Sequence, residues 1–299
     1  MSYAIAVDIG GTFTDLVAFD HESRRVLYAK SPTTYENLVD GILECFHKAK
    51  VRPAEASLVN HGTTLVINSL IQRKGAKTAL VTSKGFRDIL EIARGNRPDP
   101  FDLHYQRDEP LIPRELRFEV PERLDSKGEV VTPLDKAALK KLADEIKKLG
   151  IESVAIFFMN SYINPTHEEN ATEQLRELLP DTYITFSTDL TREWYEYERC
   201  STVAANAYVG PQVSTYIRRL DTDFKREGFN GSFAPRLEHY VMADQGNAFE
   251  FSALIAASIE TASIVRADKS VGANEACHPE RVCRPLAQEV HHLGLLLGP

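Results

Sequence analysis

The stretch Ala4-Ile5-Ala6-Val7-Asp8-Ile9-Gly10-Gly11-Thr12-Phe13-Thr14-Asp15-Leu16-Val17-Ala18-Phe19 constrains the fold more than any other part of this chain. An apolar run ends in an acid and two glycines, and a second apolar run follows at once. The pattern predicts a strand, a tight turn and an antiparallel strand. Gly10 and Gly11 leave backbone N–H groups uncovered, so an anion can come close. Thr12 and Thr14 add hydroxyl donors, and Asp8 at the strand end is placed to hold a hydrated divalent cation that would neutralise phosphates. The bland alternative is a glycine-rich hairpin with no ligand.

A second candidate lies at Leu58-Val59-Asn60-His61-Gly62-Thr63-Thr64-Leu65-Val66-Ile67, which reads as a strand, a Gly-Thr-Thr turn and an amphipathic helix closed by Gly75. A helix starting at Thr63 or Thr64 presents free N–H groups and the positive end of its dipole to an anion. Thr63 and Thr64 also suit a plain helix cap, and His61 reads equally as a polar strand-end residue bonded to backbone or as a catalytic group. Farther on, Arg94-Gly95-Asn96-Arg97-Pro98 sits on a loop bounded by glycine and proline. Two guanidinium groups there suit a carboxylate, carbonyl or phosphate, or are solvated loop charges.

Asp8-Ile9-Gly10-Gly11-Thr12 resembles the first phosphate loop of the actin, Hsp70 and sugar-kinase superfamily. The extension Phe13-Thr14-Asp15 narrows the resemblance to the hydantoinase A / 5-oxoprolinase family, and the stretches around Gly62, Gly75-Ala76-Lys77, Gly85-Phe86-Arg87 and Arg94 are similar to that family in order and spacing. The resemblance implies an α/β, ribonuclease H-like mixed sheet with flanking helices, as the first half of a two-lobed fold. It implies an ATP-dependent hydrolase of hydantoin- or 5-oxoproline-type cyclic amides, with ATP and Mg2+ as cofactors. On that account Asp8 holds Mg2+ through water, Gly10, Gly11, Thr12 and Thr14 cradle phosphates, and Gly62, Thr63 and Thr64 line the cleft. Arg94, Asn96 and Arg97 would contact a small cyclic amide, and no general base can be assigned. A hydantoinase B-type partner subunit is implied as well. The alternatives are the ATP-using subunit of an acetone- or acetophenone-type carboxylase, which shares these motifs, and a non-catalytic half-domain.

The resemblance predicts an N-terminal family domain over residues 1–187 and the start of a second over 188–232. It stops there. Residues 233–299 match no part of the family and lack the second Asp-x-Gly-Gly-Thr loop expected of it, so the expectation is a truncated or frameshifted member with little turnover of its own. Cys277, His278, Cys283, His291 and His292 lack the paired spacing of a structural zinc module.

The composition has 43% hydrophobic and 26% charged residues, which predicts a globular protein with a real core. A formal charge of -8 argues against general nucleic-acid binding. No apolar run is long enough to span a bilayer, the N-terminus reads as a strand rather than a signal peptide, and four cysteines without a compact disulfide pattern point to the cytoplasm. Elsewhere, Val26–Lys30 predicts a third strand, Glu36–Lys50 a helix and Ala76–Thr82 a strand. Asp125–Gly128 predicts a hairpin turn. A helix capped by Thr132 with Pro133 in its first turn should stop at Gly150. Ser153–Phe158 predicts a strand buried on both faces, and Pro211 should divide the last helix. In Glu193–Arg199 the expectation is packed aromatics and wet acids.

Overall fold

A computed structural model describes residues 3–233, apart from 96–98, 100, 103 and 107–108. Residues 234–299 of the expected tail, with its five Cys and His residues, and Asn96 and Arg97 therefore lie outside the described residues. The chain opens with the expected meander, β1 (Tyr3–Ile9), β2 (Phe13–Asp20) and β3 (Val26–Pro32), each antiparallel to the one before. Helix α1 (Leu38–Ala49) crosses back to β4 (Ala56–Thr63), which runs parallel to β1. The short strand β11 (Ser232–Phe233) joins β4 at the other edge, so the spatial order is β11-β4-β1-β2-β3 and the sheet is mixed.

Between β4 and β11 the chain builds a second sheet. Helix α2 (Leu65–Ile71) leads to β5 (Thr78–Ser83), the one-turn α3 (Ile89–Ile92) and β6 (Arg117–Val120). A hairpin of β7 (Arg123–Leu124) and β8 (Val130–Thr132) turns at Asp125–Gly128 as expected. Next come α4 (Lys136–Leu149), β9 (Ser153–Phe157), α5 (Thr166–Leu178), β10 (Tyr183–Phe186) and α6 (Ser187–Leu190). The order β10-β9-β5-β6 is parallel throughout, and every residue of β5 and β9 is buried, which explains their continuous small or apolar character.

The start of α4 corrects the sequence reading, since the helix begins at Lys136, beyond Pro133. Its cap is Asp135, whose Oδ1 accepts from the N–H of Ala137 at 3.0 Å and Ala138 at 2.9 Å, while Thr132 ends β8. Gly150 stops the helix with φ 61°, as expected.

Helix α7 (Glu196–Arg226) is the spine of the molecule. Its first half packs Cys200, Val203 and Ala207 into the core of the second sheet, and its second half packs Tyr216, Leu220 and Phe224 into the core of the first. Pro211 does not divide it. A proline inside a helix costs roughly 3 kcal/mol, and anchoring each half in a separate apolar core outweighs that. Among the described residues, no helix is long and apolar enough to cross a membrane.

Candidate functional site

Strand alternation sets the site. Ile5, Val7 and Ile9 point into the core, so Asp8 projects from the opposite face of β1. Beyond Ile9 the chain turns tightly: the N–H of Gly10 donates to the Phe13 carbonyl at 2.9 Å. The loop's carbonyls are tied down from the end of β3. The Thr33 N–H donates to the Thr12 carbonyl at 3.0 Å, its hydroxyl to the Gly10 carbonyl at 2.9 Å, and the Tyr35 hydroxyl to the Gly11 carbonyl. The amides of Gly11 and Thr12 have no hydrogen-bond partner among the described residues.

The two glycines matter for clearance, because neither takes a positive φ. A Cβ at Gly10 would lie 3.2 Å from the Phe13 carbonyl oxygen, whereas one at Gly11 would meet nothing within 4 Å. Among the described residues only open space lies above Gly11, so their packing does not require glycine there. That clearance and two free amides fit an approaching phosphate oxygen.

Gly10, Thr63 and Thr64 come together as the sequence predicts, in a cavity of about 190 Å³ at the C-terminal ends of β1 and β4. Thr63 and Thr64 meet the turn differently from a helix-terminus anion site. The Thr64 N–H donates to the Ile9 carbonyl at 3.2 Å, and the Leu65 N–H to the Thr63 hydroxyl at 3.2 Å. Those amides have protein partners, and α2 is only two turns long. Gly62 is buried beside Asp8 as its register partner on β4.

Asp8 faces Asp15 directly across the hairpin. Although Asp8 is exposed at the strand end, partial screening of its carboxyl from water by the protein holds it above the usual range, with the Asp15 charge adding to this. Asp15 is ion-paired with Lys30 at 2.9 Å, and Asp8 has no such cation among the described residues. Two facing carboxylates with one countercharge suit a hydrated divalent cation, since Mg2+ keeps most of its waters and takes one or two carboxylates. Among the described residues no group of three or more His, Cys, Asp or Glu could hold a metal by itself.

Thr14 is placed elsewhere. It begins the inward register of β2 with Leu16 and Ala18, and its hydroxyl is buried beneath α1, where a Cβ on Gly41 would lie 3.2 Å from it. Its oxygen is thereby removed from the turn. His61 also points inward: its Nε2 meets the Tyr216 hydroxyl at 2.5 Å, and burial lowers its pKa from 6.5 to about 4. Its Nε2 partner is a side chain on α7, and a backbone contact to Val7, as the sequence reading allowed, opposes the effect of burial.

Arg94 is ion-paired with Glu198 and stands 5.6 Å from the Tyr195 ring, near the start of α7. The cavity meets α7 at Gln212, about 21 Å farther along at the usual helical rise. Arg94 is not brought to the phosphate turn. Sequence reasoning also missed Thr33, Tyr35, Asn68, Lys74 and Gln212 around the cavity. Thr33 and Tyr35 were within reach of it, because a three-stranded meander returns the end of β3 to the β1–β2 turn. Gln212 and Lys74 depend on contacts between distant segments.

Residues 4–179 match the family described as the hydantoinase/oxoprolinase N-terminal region, and the chain belongs to that family. It is 40% identical over 249 residues to the uncharacterized protein MJ0964 of Methanocaldococcus jannaschii, covering 82% of this chain and 36% of the relative. It is 33% identical to the caprolactamase subunit alpha of Pseudomonas jessenii, with 78% of this chain and 36% of that subunit covered. Identity to the acetophenone carboxylase gamma subunit of Aromatoleum aromaticum is 30%, with 77% and 34% covered. The crystal structure of the ATP-dependent caprolactamase superposes with a TM-score of 0.68 at 32% identity, covering 77% of this chain and 35% of that one. Nucleotide-free acetone carboxylase superposes at 0.72 over 88% of this chain and 41% of that one, and at 20% identity it speaks for the fold alone. The chain spans about a third of the length of these relatives.

Proposed function

We propose that this chain provides the first phosphate-gripping lobe of an ATP-dependent enzyme that opens cyclic amides of the hydantoin or 5-oxoproline type. The observation that carries this reading is the β1–β2 turn, with its carbonyls tied back, two free amides and clear space above Gly11. Similarity to an ATP-dependent caprolactamase supports both the nucleotide and the cyclic amide. Bound ATP would supply the phosphoryl group that turns an inert amide oxygen into part of a good leaving system. The chain's own work is binding: the amides of Gly11 and Thr12 hold phosphate oxygens, and Asp8 orients the hydrated Mg2+ that screens their charge. Thr63 and Thr64 shape the adjoining wall. Residues 1–187 form the phosphate-binding domain and 188–232 the start of the next, in this reading. Its partner is a B-type subunit, and relatives named as alpha and gamma subunits support a multi-subunit enzyme.

A carboxylase subunit is the second reading, favoured by the 30% identity to the acetophenone carboxylase gamma subunit. Supplying the chain and its partner subunit with hydantoins, 5-oxoproline, or ketones plus bicarbonate separates the two by product.

The nucleotide reading is tested first, by titrating the full chain with Mg-ATP. Asp8→Asn should weaken binding by about tenfold, the scale of one charge-assisted contact. The same variant should be at least as heat-stable as the parent, because it removes a desolvated charge facing Asp15. Unchanged affinity overturns the role of Asp8, and a chain that binds no Mg-ATP at millimolar concentration overturns the whole reading in favour of a non-catalytic half-domain.

A further inference from the structure

Apart from one lysine, the residues that line the cavity beside the phosphate turn are uncharged, with Thr63, Thr64, Asn68 and Gln212 beside Ile9 and Leu65. One of its residues is a cation, Lys74, which has no carboxylate partner among the described residues. An unpaired ammonium beside uncharged amides and hydroxyls gives the cavity a net positive charge, so it attracts an anion.

The backbone around Lys74 is fixed by distant parts of the fold. Its N–H donates to the Ser69 carbonyl at 2.9 Å, and the Ser69 hydroxyl donates in turn to the Gln212 side chain of α7 at 2.8 Å. The next residue, Gly75, lies so close to Tyr208 of α7 that a Cβ would fall 2.2 Å from its ring. One residue later, the Ala76 N–H donates to the Tyr208 carbonyl at 2.8 Å. A segment pinned on both sides of a solvent-exposed lysine holds the stem of that lysine at the cavity wall.

We propose that Lys74 is the cationic contact of this lobe for the phosphate chain of the nucleotide, with α7 as the brace that sets its position. The inference rests on the nucleotide reading above and adds to it a residue that the turn's sequence does not announce. Lys74 brings positive charge from the cavity side, while Asp8 and its hydrated cation act from the opposite face of β1. The phosphate chain is thereby gripped from two sides of one turn. An ammonium on a long stem suits such a contact, since it tolerates small shifts of an oxygen that a rigid fork would not.

The test titrates the full chain and its Lys74→Gln and Lys74→Arg variants with Mg-ATP, Mg-ADP and AMP, with circular dichroism and melting temperature as checks on folding. Lys74→Gln should weaken Mg-ATP by about tenfold and AMP by less, because only the longer phosphate chain reaches the cavity. Lys74→Arg, which keeps the charge, should stay within about threefold of the parent on the same scale. If the parent binds Mg-ATP and Lys74→Gln binds it equally well, the role of Lys74 is overturned and the nucleotide reading stands. Equal losses in both variants overturn it too, since charge would then not be the cause. If the parent binds no nucleotide, the nucleotide reading itself fails and takes this inference with it.

Discussion

The two sheets use the same kinds of polar side chain in opposite ways. At the end of the first sheet, Asp8, Gly11 and Thr12 are exposed and short of partners. On α5, packed against the second sheet, the carboxylate of Glu168 is fully buried and accepts from the N–H of Phe158 at 2.8 Å, the Ser187 hydroxyl at 2.6 Å and both the N–H and hydroxyl of Thr188 at 2.9 and 2.8 Å. Arg199, also fully buried, stands 3.6 Å from it and donates to the Phe158 carbonyl and the Ser187 hydroxyl. Burial pulls the Arg199 guanidinium below its ordinary range, and the Glu168 charge opposes that shift. A buried charge is tolerated when it is paired with an opposite charge and most of its polar atoms are bonded; here the Glu168 carboxylate has its donors, and Nη2 of Arg199 is left without a partner among the described residues. An incomplete set of partners at the surface is what leaves room for a ligand. Burial beside an opposite charge, rather than residue type, separates the scaffold from the site.

Removing one member of the buried pair should have the largest effect. Glu168→Ala leaves Arg199 uncompensated in a dry core, at a cost of about 3–5 kcal/mol. Urea unfolding of the parent and variant measures it, and a loss under about 1 kcal/mol would erase the distinction between the sheets. Asp8→Asn is the matched change in the first sheet, where stability should hold while nucleotide affinity falls.

The next effect depends on pH. His61 is neutral in the folded chain with its pKa lowered from 6.5 to about 4, chiefly by burial. Between those values the unfolded chain binds the proton and the folded chain does not. The stability this histidine contributes is therefore full above about pH 6.5 and is lost as pH falls toward 4, a span of about 3 kcal/mol. His61→Gln can keep a hydrogen bond to Tyr216 without titrating, so its stability should fall less steeply than the parent's across that window. Parallel curves for the two proteins would show that burial of His61 does not govern acid sensitivity.

The two regions also differed in how much the sequence disclosed. The hairpin was legible because period-two apolar runs and paired glycines are local signals, and the continuous apolar run of β9 was legible for the same reason. The inward face of Thr14 was legible too, because Thr14, Leu16 and Ala18 share one register of β2 and that parity outweighs the polarity of a single hydroxyl. The segment Glu193–Arg199 reversed the expectation: Trp194 and Tyr195 are exposed, while Arg199 is buried. The sequence near Arg199 offers it one partner, the Glu193 carbonyl, whereas Phe158, Glu168 and Ser187 come from distant segments. The Gly75–Tyr208 approach that fixes Lys74 is equally non-local. Pro211 misled because the local rule is right and the tertiary anchoring of α7 is stronger.

The smallest expected effect bears on the boundary between the regions. Arg94 and Glu198 join α3 to α7 at the surface, with the arginine side chain 62% exposed. A pair that exposed contributes under about 1 kcal/mol, so Arg94→Ala should melt within a few degrees of the parent. Its distance along α7 from Gln212 separates it from the phosphate turn, and Mg-ATP affinity should not change. If Arg94 serves a cyclic amide, the loss must appear in the KM for that substrate in the assembled enzyme. A fall in nucleotide affinity instead would mean that the two ends of α7 act as one site, and the division between a scaffold sheet and a binding sheet would have to be redrawn.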